Sequence, residues 1–475
     1  MSNRAQKESK LLKNTVWFSL GTFLSKAVTF LLVPLYTSIL TRAEYSISDI
    51  ISTTVSLSFP FFSLIISSAV CRFALDKTGD NRKIFSVGLF VILLGLIPLS
   101  AISAVAFHFI ESVRQYWGYF VAIYALTALT TLESEFLKGL EKVKLLAIVG
   151  VVQTLSFVLS NVLFLVGLGM RIEGYLLANV VSHGIAFLLY FSFGRVYRYI
   201  INPRAIEKEL TSSMMQYSLP LVPNSAMWWI TNSSDRYFVS AMVSIADNGL
   251  LSVAYKIPSM LSIFVSVFNS AWELSVVEDF DNEKGKSFYN AVYQRYVESC
   301  LLVSAFLVVA AKIFGKILYA ASFFNAWKFS VLLIIGVTFH SLAGFLGTAF
   351  TTAKKTKMVF VSTLVGAVSN LVLNVVLILW LGTVGAVIAT VVSYFLTFLI
   401  RRVAIKRHIA ITGNLKRNIL SFAMLLTEAV LMYVDLPASR AVALVLFLVI
   451  CVLNRSMVQG MLKMVTTKLL RKSRG

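Results

Sequence analysis

Charge is what this chain has least of. Only 14% of its 475 residues are Asp, Glu, Lys or Arg, against about 25% in an ordinary soluble domain. That shortfall excludes a water-exposed globule. Acidic residues are scarcer still, 22 against 43 Lys and Arg. Three cysteines, Cys71, Cys300 and Cys451, fall in or at the ends of apolar runs and cannot pair completely, so neither a disulfide framework nor a zinc set is expected. Four histidines are scattered. No GxxxxGK(S/T) phosphate cradle and no HExxH occurs, which excludes P-loop ATP hydrolysis and a helix-borne zinc protease. No nucleophile–His–acid set emerges from spacing, and the expected outer loops are too short to hold chemistry. The chain is therefore expected to move a substrate rather than transform one, with no catalytic residue, metal or cofactor.

What is present is apolar length. Hydrophobic residues make up 58% of the chain, and the mean hydropathy is +0.81. Apolar runs of 18 or more residues recur, each able to cross about 30 Å of hydrocarbon. The pattern predicts an all-α integral membrane protein with about 14 transmembrane helices. Long continuous segments, rather than short alternating ones, argue against a barrel. The opening MSNRAQKESKLLKN is polar and basic and leads directly into a full-length span, so no cleavable signal peptide is expected. Residues 1–200 read as an N-terminal lobe (helices 1–6), 201–213 as a cytoplasmic linker and 214–405 as a C-terminal lobe (helices 7–12). Residues 406–475 add helices 13–14 and a basic cytoplasmic tail. Span thirteen, Lys416–Val434, is the shortest.

The net charge of +21 raises the question of nucleic acid, and its placement answers it. Seven cations lie on one side of the fourteen-span arrangement (Arg42, Arg114, Arg171, Lys312, Lys316, Lys328, Arg440). Lys26, Arg236 and Lys256 lie inside spans, and the remaining 33 are on the side of the termini. This positive-inside pattern predicts cytoplasmic N- and C-termini in a multi-pass protein. The basicity reports topology and anionic membrane lipids, not nucleic acid.

A short internal repeat supports two lobes. Ala43-Glu44-Tyr45-Ser46-Ile47 and Ala246-Asp247-Asn248-Gly249-Leu250 each follow a long apolar helix at equivalent topological positions. With an even number of spans between them, the repeats would be related by a pseudo-twofold axis along the membrane normal. Polar residues mark helix faces: Asp49, Thr53, Ser56, Pro60, Ser63 and Ser67 in span two, and Lys256, Ser259, Ser266, Ser270 and Glu273 in span eight. Embedded serines and threonines commonly tie helices together. Embedded cations are rare and face an interior or a water-filled cavity, so Lys26, Arg236 and Lys256 are expected to converge on one cavity between the lobes. Asp235 would hold a cation there. Trp228 and Trp229, mid-span, suit either sugar stacking or packing. Pro60, Pro220, Pro223 and Pro258 would kink spans two, seven and eight.

The stretches NTVWFSLGTFLSKAVTFLLVPLYTSILTRAEYSISDI, SSAVCRFALDK, QYSLPLVPNSAMWWITNSSDRYFVSAM and GLLSVAYKIPSM resemble Wzx-type polysaccharide flippases of the multidrug/oligosaccharidyl-lipid/polysaccharide exporter (MOP) superfamily. One departure is Ser46, where the family usually has Gly. The resemblance implies a V-shaped central cavity between two six-helix lobes, with an undecaprenyl-pyrophosphate-linked oligosaccharide repeat unit as cargo, moved outward across a bacterial cytoplasmic membrane. It implies substrate contacts at Lys26, Arg72, Arg236 and Lys256, because a diphosphate in a low-dielectric cavity needs Lys or Arg partners. Asp235 and Glu273 become coupling or ion-pair acids, with H⁺ or Na⁺ coupling. Polysaccharide polymerase and chain-length proteins would be partners. Two other readings stay open: a lipid II flippase, and a cation-coupled drug exporter using Glu133, Glu135, Glu273 or Glu298.

Overall fold

The computed structural model describes residues 30–76, 79–202, 206–275, 283–352, 356–406 and 414–455, together with 457 and 459. Among them every regular element is helical. That follows from hydrocarbon as solvent, where a backbone must satisfy its own hydrogen bonds. Ten helices are long and apolar enough to cross a membrane, and they correspond in order to spans three to six and eight to thirteen. The bent pair Arg42–Ser63 and Ile66–Leu75 supplies span two, the first turn of Arg42–Ser63 forming the expected outer link from span one. Leu221–Met242 is long enough for span seven, but its asparagines, Asp235 and Arg236 keep it from qualifying on hydropathy. Pro437–Leu453, with 17 residues, is span fourteen. Span thirteen is Leu415–Val434, with 20 residues. Of span one the structure describes only the end, with helix Val33–Ile39.

Span two does not bend where its proline stands. Leu64 and Ile65 are both left-handed (φ 50° and 52°), and the helices on either side meet at 59°. Such a conformation is costly for a β-branched residue. Neighbouring packing holds it: a Cβ at Gly95 of span three would lie 1.8 Å from the Phe62 carbonyl oxygen. The break also interrupts the polar stripe expected from Asp49 to Ser67. The break falls between Ser63 and Ser67, so helical spacing no longer counts from one to the other; ahead of it, Ser56 is exposed and Ser63 buried on the same helix. Pro220 sits in the break before Leu221–Met242, while Pro223 and Pro258 occupy the first turns of their helices. A missing N–H costs little there.

The chain forms two compact units. One comprises Met1–Tyr237 with Ile245–Gly249, the other Phe238–Ser244 with Leu250–Gly475. The sequence drew its lobe boundary at 201–213; by packing, residues 221–237 belong to the first unit. In that unit span four (Trp117–Gly139) is central and packs on span six and the lower half of span two. Tyr124, Leu132 and Phe136 of span four are essentially inaccessible, as are Val70 and Phe85 beside them. Lipid tails are as apolar as these side chains, so close packing holds such a bundle more than transfer from water does. In the second unit span ten (Ala326–Thr352) is central. Its Phe345 lies among Tyr289, Tyr293 and Tyr296, stacking on the last at 4.8 Å.

Candidate functional site

The seventh span carries its charges into the first unit. Arg236 Nε lies 2.7 Å from Asp49 Oδ2, with the two side chains 13% and 19% exposed. Asp49 stands on Arg42–Ser63, one of the polar-stripe residues of span two. Asp235 is 2% exposed; its Oδ1 accepts from the Arg236 backbone N–H at 2.9 Å and lies 4.0 Å from Nη1. Arg236 Nη1 also donates to the Asn232 carbonyl at 3.2 Å. The direct counter-ion of Arg236 is therefore Asp49, with Asp235 bonded to the peptide behind it. Opposite charges on two helices of one face were visible in the sequence, but their pairing was not.

Aromatic residues fix this contact. Trp229 Nε1 donates to the Thr53 carbonyl at 3.1 Å, so its indole N–H serves helix packing. Its ring meets Tyr237 at 5.5 Å, and the Tyr237 hydroxyl shares a 2.6 Å hydrogen bond with Thr54. Buried Tyr45 completes the pocket near Asp49 and Arg236. Trp228 is half-buried.

Just beyond this cluster the repeated turns meet. Asn248 Nδ2 donates to Ser46 Oγ at 2.8 Å, with both residues fully buried. The family-atypical serine thus supplies the acceptor for a buried amide. Gly249 lies against Arg42, whose carbonyl oxygen would be 2.0 Å from any Cβ added there. Outside the span, Arg171 donates to Glu44 through Nε at 2.6 Å and Nη2 at 2.7 Å. Glu44 also closes a capping box with Thr41. Partial burial works against the Glu44 carboxylate, but the hydrogen bonds from Arg171 and Thr41 outweigh it, and its pKa falls below the ordinary 4.5.

Of the other expected substrate contacts, Arg72 and Lys256 are described with their side chains. Lys26 lies outside the described residues, and of Glu273 the structure describes the helical backbone alone. Lys256, in the second unit, is half-buried at the start of Lys256–Ser275, and its carbonyl accepts from Ser259 at 2.6 Å. Arg72 is 56% exposed and pairs with Asp76 at 3.5 Å, a surface pair of the kind that contributes little. Glu135 pairs with Lys138 at 3.3 Å and Glu298 with Arg417. Glu133 is buried in span four, its oxygens without a hydrogen-bond partner among the described residues. Among those residues no group of three or more His, Cys, Asp or Glu is placed to hold a metal ion.

One buried cation escaped the sequence reading. Arg401 is 1% exposed and donates to Ser362 Oγ (2.8 Å), Thr363 Oγ1 (2.9 Å) and the carbonyls of Ala343 (2.7 Å) and Val359 (3.4 Å). It ties span twelve to spans ten and eleven. By sequence it looked like the first of an ordinary basic connection; the signal was the set of small polar residues on the facing spans.

A many-helix bundle with charges locked inside its spans is the architecture of a multi-pass membrane protein. The fold is shared with the lipid II flippase MurJ in its inward closed conformation (TM-score 0.69, 14% identity, 95% of this chain and 100% of that one). It is shared too with a MATE transporter in its straight conformation (0.58, 14%, 84% and 96%), and with a MOP superfamily transporter from Pyrococcus furiosus (0.59, 14%, 83% and 96%). An uncharacterized membrane protein of Methanocaldococcus jannaschii is 23% identical over 84% of this chain and 99% of its own length. The family model for polysaccharide biosynthesis proteins matches residues 11–272. The chain belongs to that family, in keeping with its Wzx-like stretches.

Proposed function

We propose that the protein is a flippase that carries an undecaprenyl-pyrophosphate-linked oligosaccharide repeat unit from the cytoplasmic to the outer leaflet of a bacterial cytoplasmic membrane. Both termini lie in the cytoplasm, and the chain performs no catalysis. The observation that carries this reading is Arg236, a guanidinium inside a span of a polysaccharide-biosynthesis family member, held at 2.7 Å by an aspartate from another span. Arg engages phosphate oxygens bidentately, and a diphosphate can compete with Asp49 for it. Two carboxyl groups, Asp49 and Asp235, face one guanidinium, which leaves a place for one proton. H⁺ or Na⁺ coupling would act at these acids. Lys26 and Lys256 serve as further cationic contacts, and a polymerase and chain-length proteins receive the product.

Two other cargoes have support. The flippase fold match favours lipid II, and the excess of acid over base around Arg236 favours an organic cation. Reconstitution in liposomes tests all three. A fluorescent polyprenyl-pyrophosphate oligosaccharide is expected to cross with wild type and to slow at least about tenfold with Arg236→Ala, a loss of roughly 1.4 kcal/mol. Transport of lipid II alone, or of an organic cation alone, would overturn the proposed cargo in favour of that class.

A further inference from the structure

In the second unit, spans nine, ten, twelve and thirteen enclose a cavity of about 660 Å³. Its walls are phenylalanines: Phe339 stacks on Phe422 at 5.3 Å and meets Phe395 at 5.0 Å. The flank is formed by Leu399, Ile419 and Leu426, which are 41%, 59% and 52% exposed, so the slot opens where lipid tails would lie.

One end of the slot is polar. Gln294 and Asn418 exchange amide hydrogen bonds at 3.0 and 3.1 Å, and Glu298 pairs with Arg417, so those charges cancel. Arg402 remains. It lines the slot and shares a side-chain hydrogen bond with Tyr293, while its Nη1 is buried without a hydrogen-bond acceptor among the described residues. Leaving such a donor unmet is costly. Leu415 and Asn418, from the first turn of a 20-residue helix, border the same end, and a helix start favours an anion. Arg402 and Leu415 flank the basic connection between spans twelve and thirteen, which places this end at headgroup depth.

We propose that this slot is a binding site for an anionic phospholipid, one acyl chain lying along the phenylalanines and the phosphodiester on Arg402. A phosphodiester brings a single negative charge, which one guanidinium matches. A diphosphate would bring more than this corner neutralises, so the site is distinct from the transport cargo. It stands whether or not the cargo assignment does.

The test uses the full chain. Native mass spectrometry of protein released from polymer-excised membrane is expected to find one anionic phospholipid per chain. In detergent, phosphatidylglycerol should bind wild type about tenfold more tightly than phosphatidylcholine. Arg402→Gln should bring the two lipids near parity, and Ala423→Trp, which fills the slot, should release the bound lipid while the protein stays monodisperse. Equal affinity for the two lipids in wild type overturns the proposal without any variant. So does a preference that survives Arg402→Gln, or a polyprenyl lipid as the co-purified molecule.

Discussion

The two units each bury an arginine in a helix bundle, and they solve the problem differently. In the second unit Arg401 donates to hydroxyl and carbonyl oxygens of spans ten and eleven and is 1% exposed. In the first, Arg236 meets Asp49 across two spans and is 13% exposed. Neutral oxygens satisfy a guanidinium without cancelling its charge, and several must be positioned at once, which makes a rigid brace. A carboxylate cancels the charge, and any other anion that arrives can take its place. The first arrangement suits architecture, the second exchange.

Substitutions separate the two. The largest loss of stability is expected for Arg401→Ala, which removes four hydrogen bonds from a charged donor and leaves buried acceptors unmet, at least about 3 kcal/mol. Thermal unfolding in detergent should show it, with transport per folded molecule unchanged. Gly95→Ala comes next: its methyl meets the Phe62 carbonyl at 1.8 Å, so the span-two break must shift, costing about 1–3 kcal/mol. Asp49→Asn should cost less, about 1–2 kcal/mol, because the pair is partly exposed. Its signature is instead a transport rate per folded molecule that changes when the counter-ion of Arg236 is lost. If Asp49→Asn keeps the wild-type rate, Arg236 is a brace like Arg401, and the contrast fails.

The smallest effect is at the surface. The Glu44 carboxyl has a lowered pKa, so its ion pair with Arg171 contributes stability above the ordinary value of 4.5 and loses it as pH falls through the lower, folded-state value. The wild-type melting temperature should therefore decline more steeply than that of Glu44→Gln below about pH 4.5. Parallel melting curves would remove Glu44 from the acid sensitivity.

Spans were legible because hydrocarbon imposes one rule on every residue of a helix. Span seven was legible in spite of its polar residues, since Asp235 and Arg236 stood out against apolar flanks. The partner of Arg236 was not: Asp49 was visible as one member of a polar stripe, but no spacing rule reaches from span two to span seven. The bend in span two was misplaced for a physical reason. Pro60 is the residue that ought to bend a helix, whereas the break falls at Leu64–Ile65, where neither side chain prefers the left-handed region. Packing from Gly95 imposes it. Arg401 was missed because a cation at the end of a span resembles every other positive-inside residue.

The meeting of the two repeated turns has a consequence for the history of this chain. Where one copy has Ser46 the other has Gly249, and neither can stand in for the other. A side chain at 249 would strike the Arg42 carbonyl, and a glycine at 46 would strip the Asn248 amide of its hydroxyl acceptor. A substitution at either turn is thus felt at the other. Drift in one copy is now read against the other.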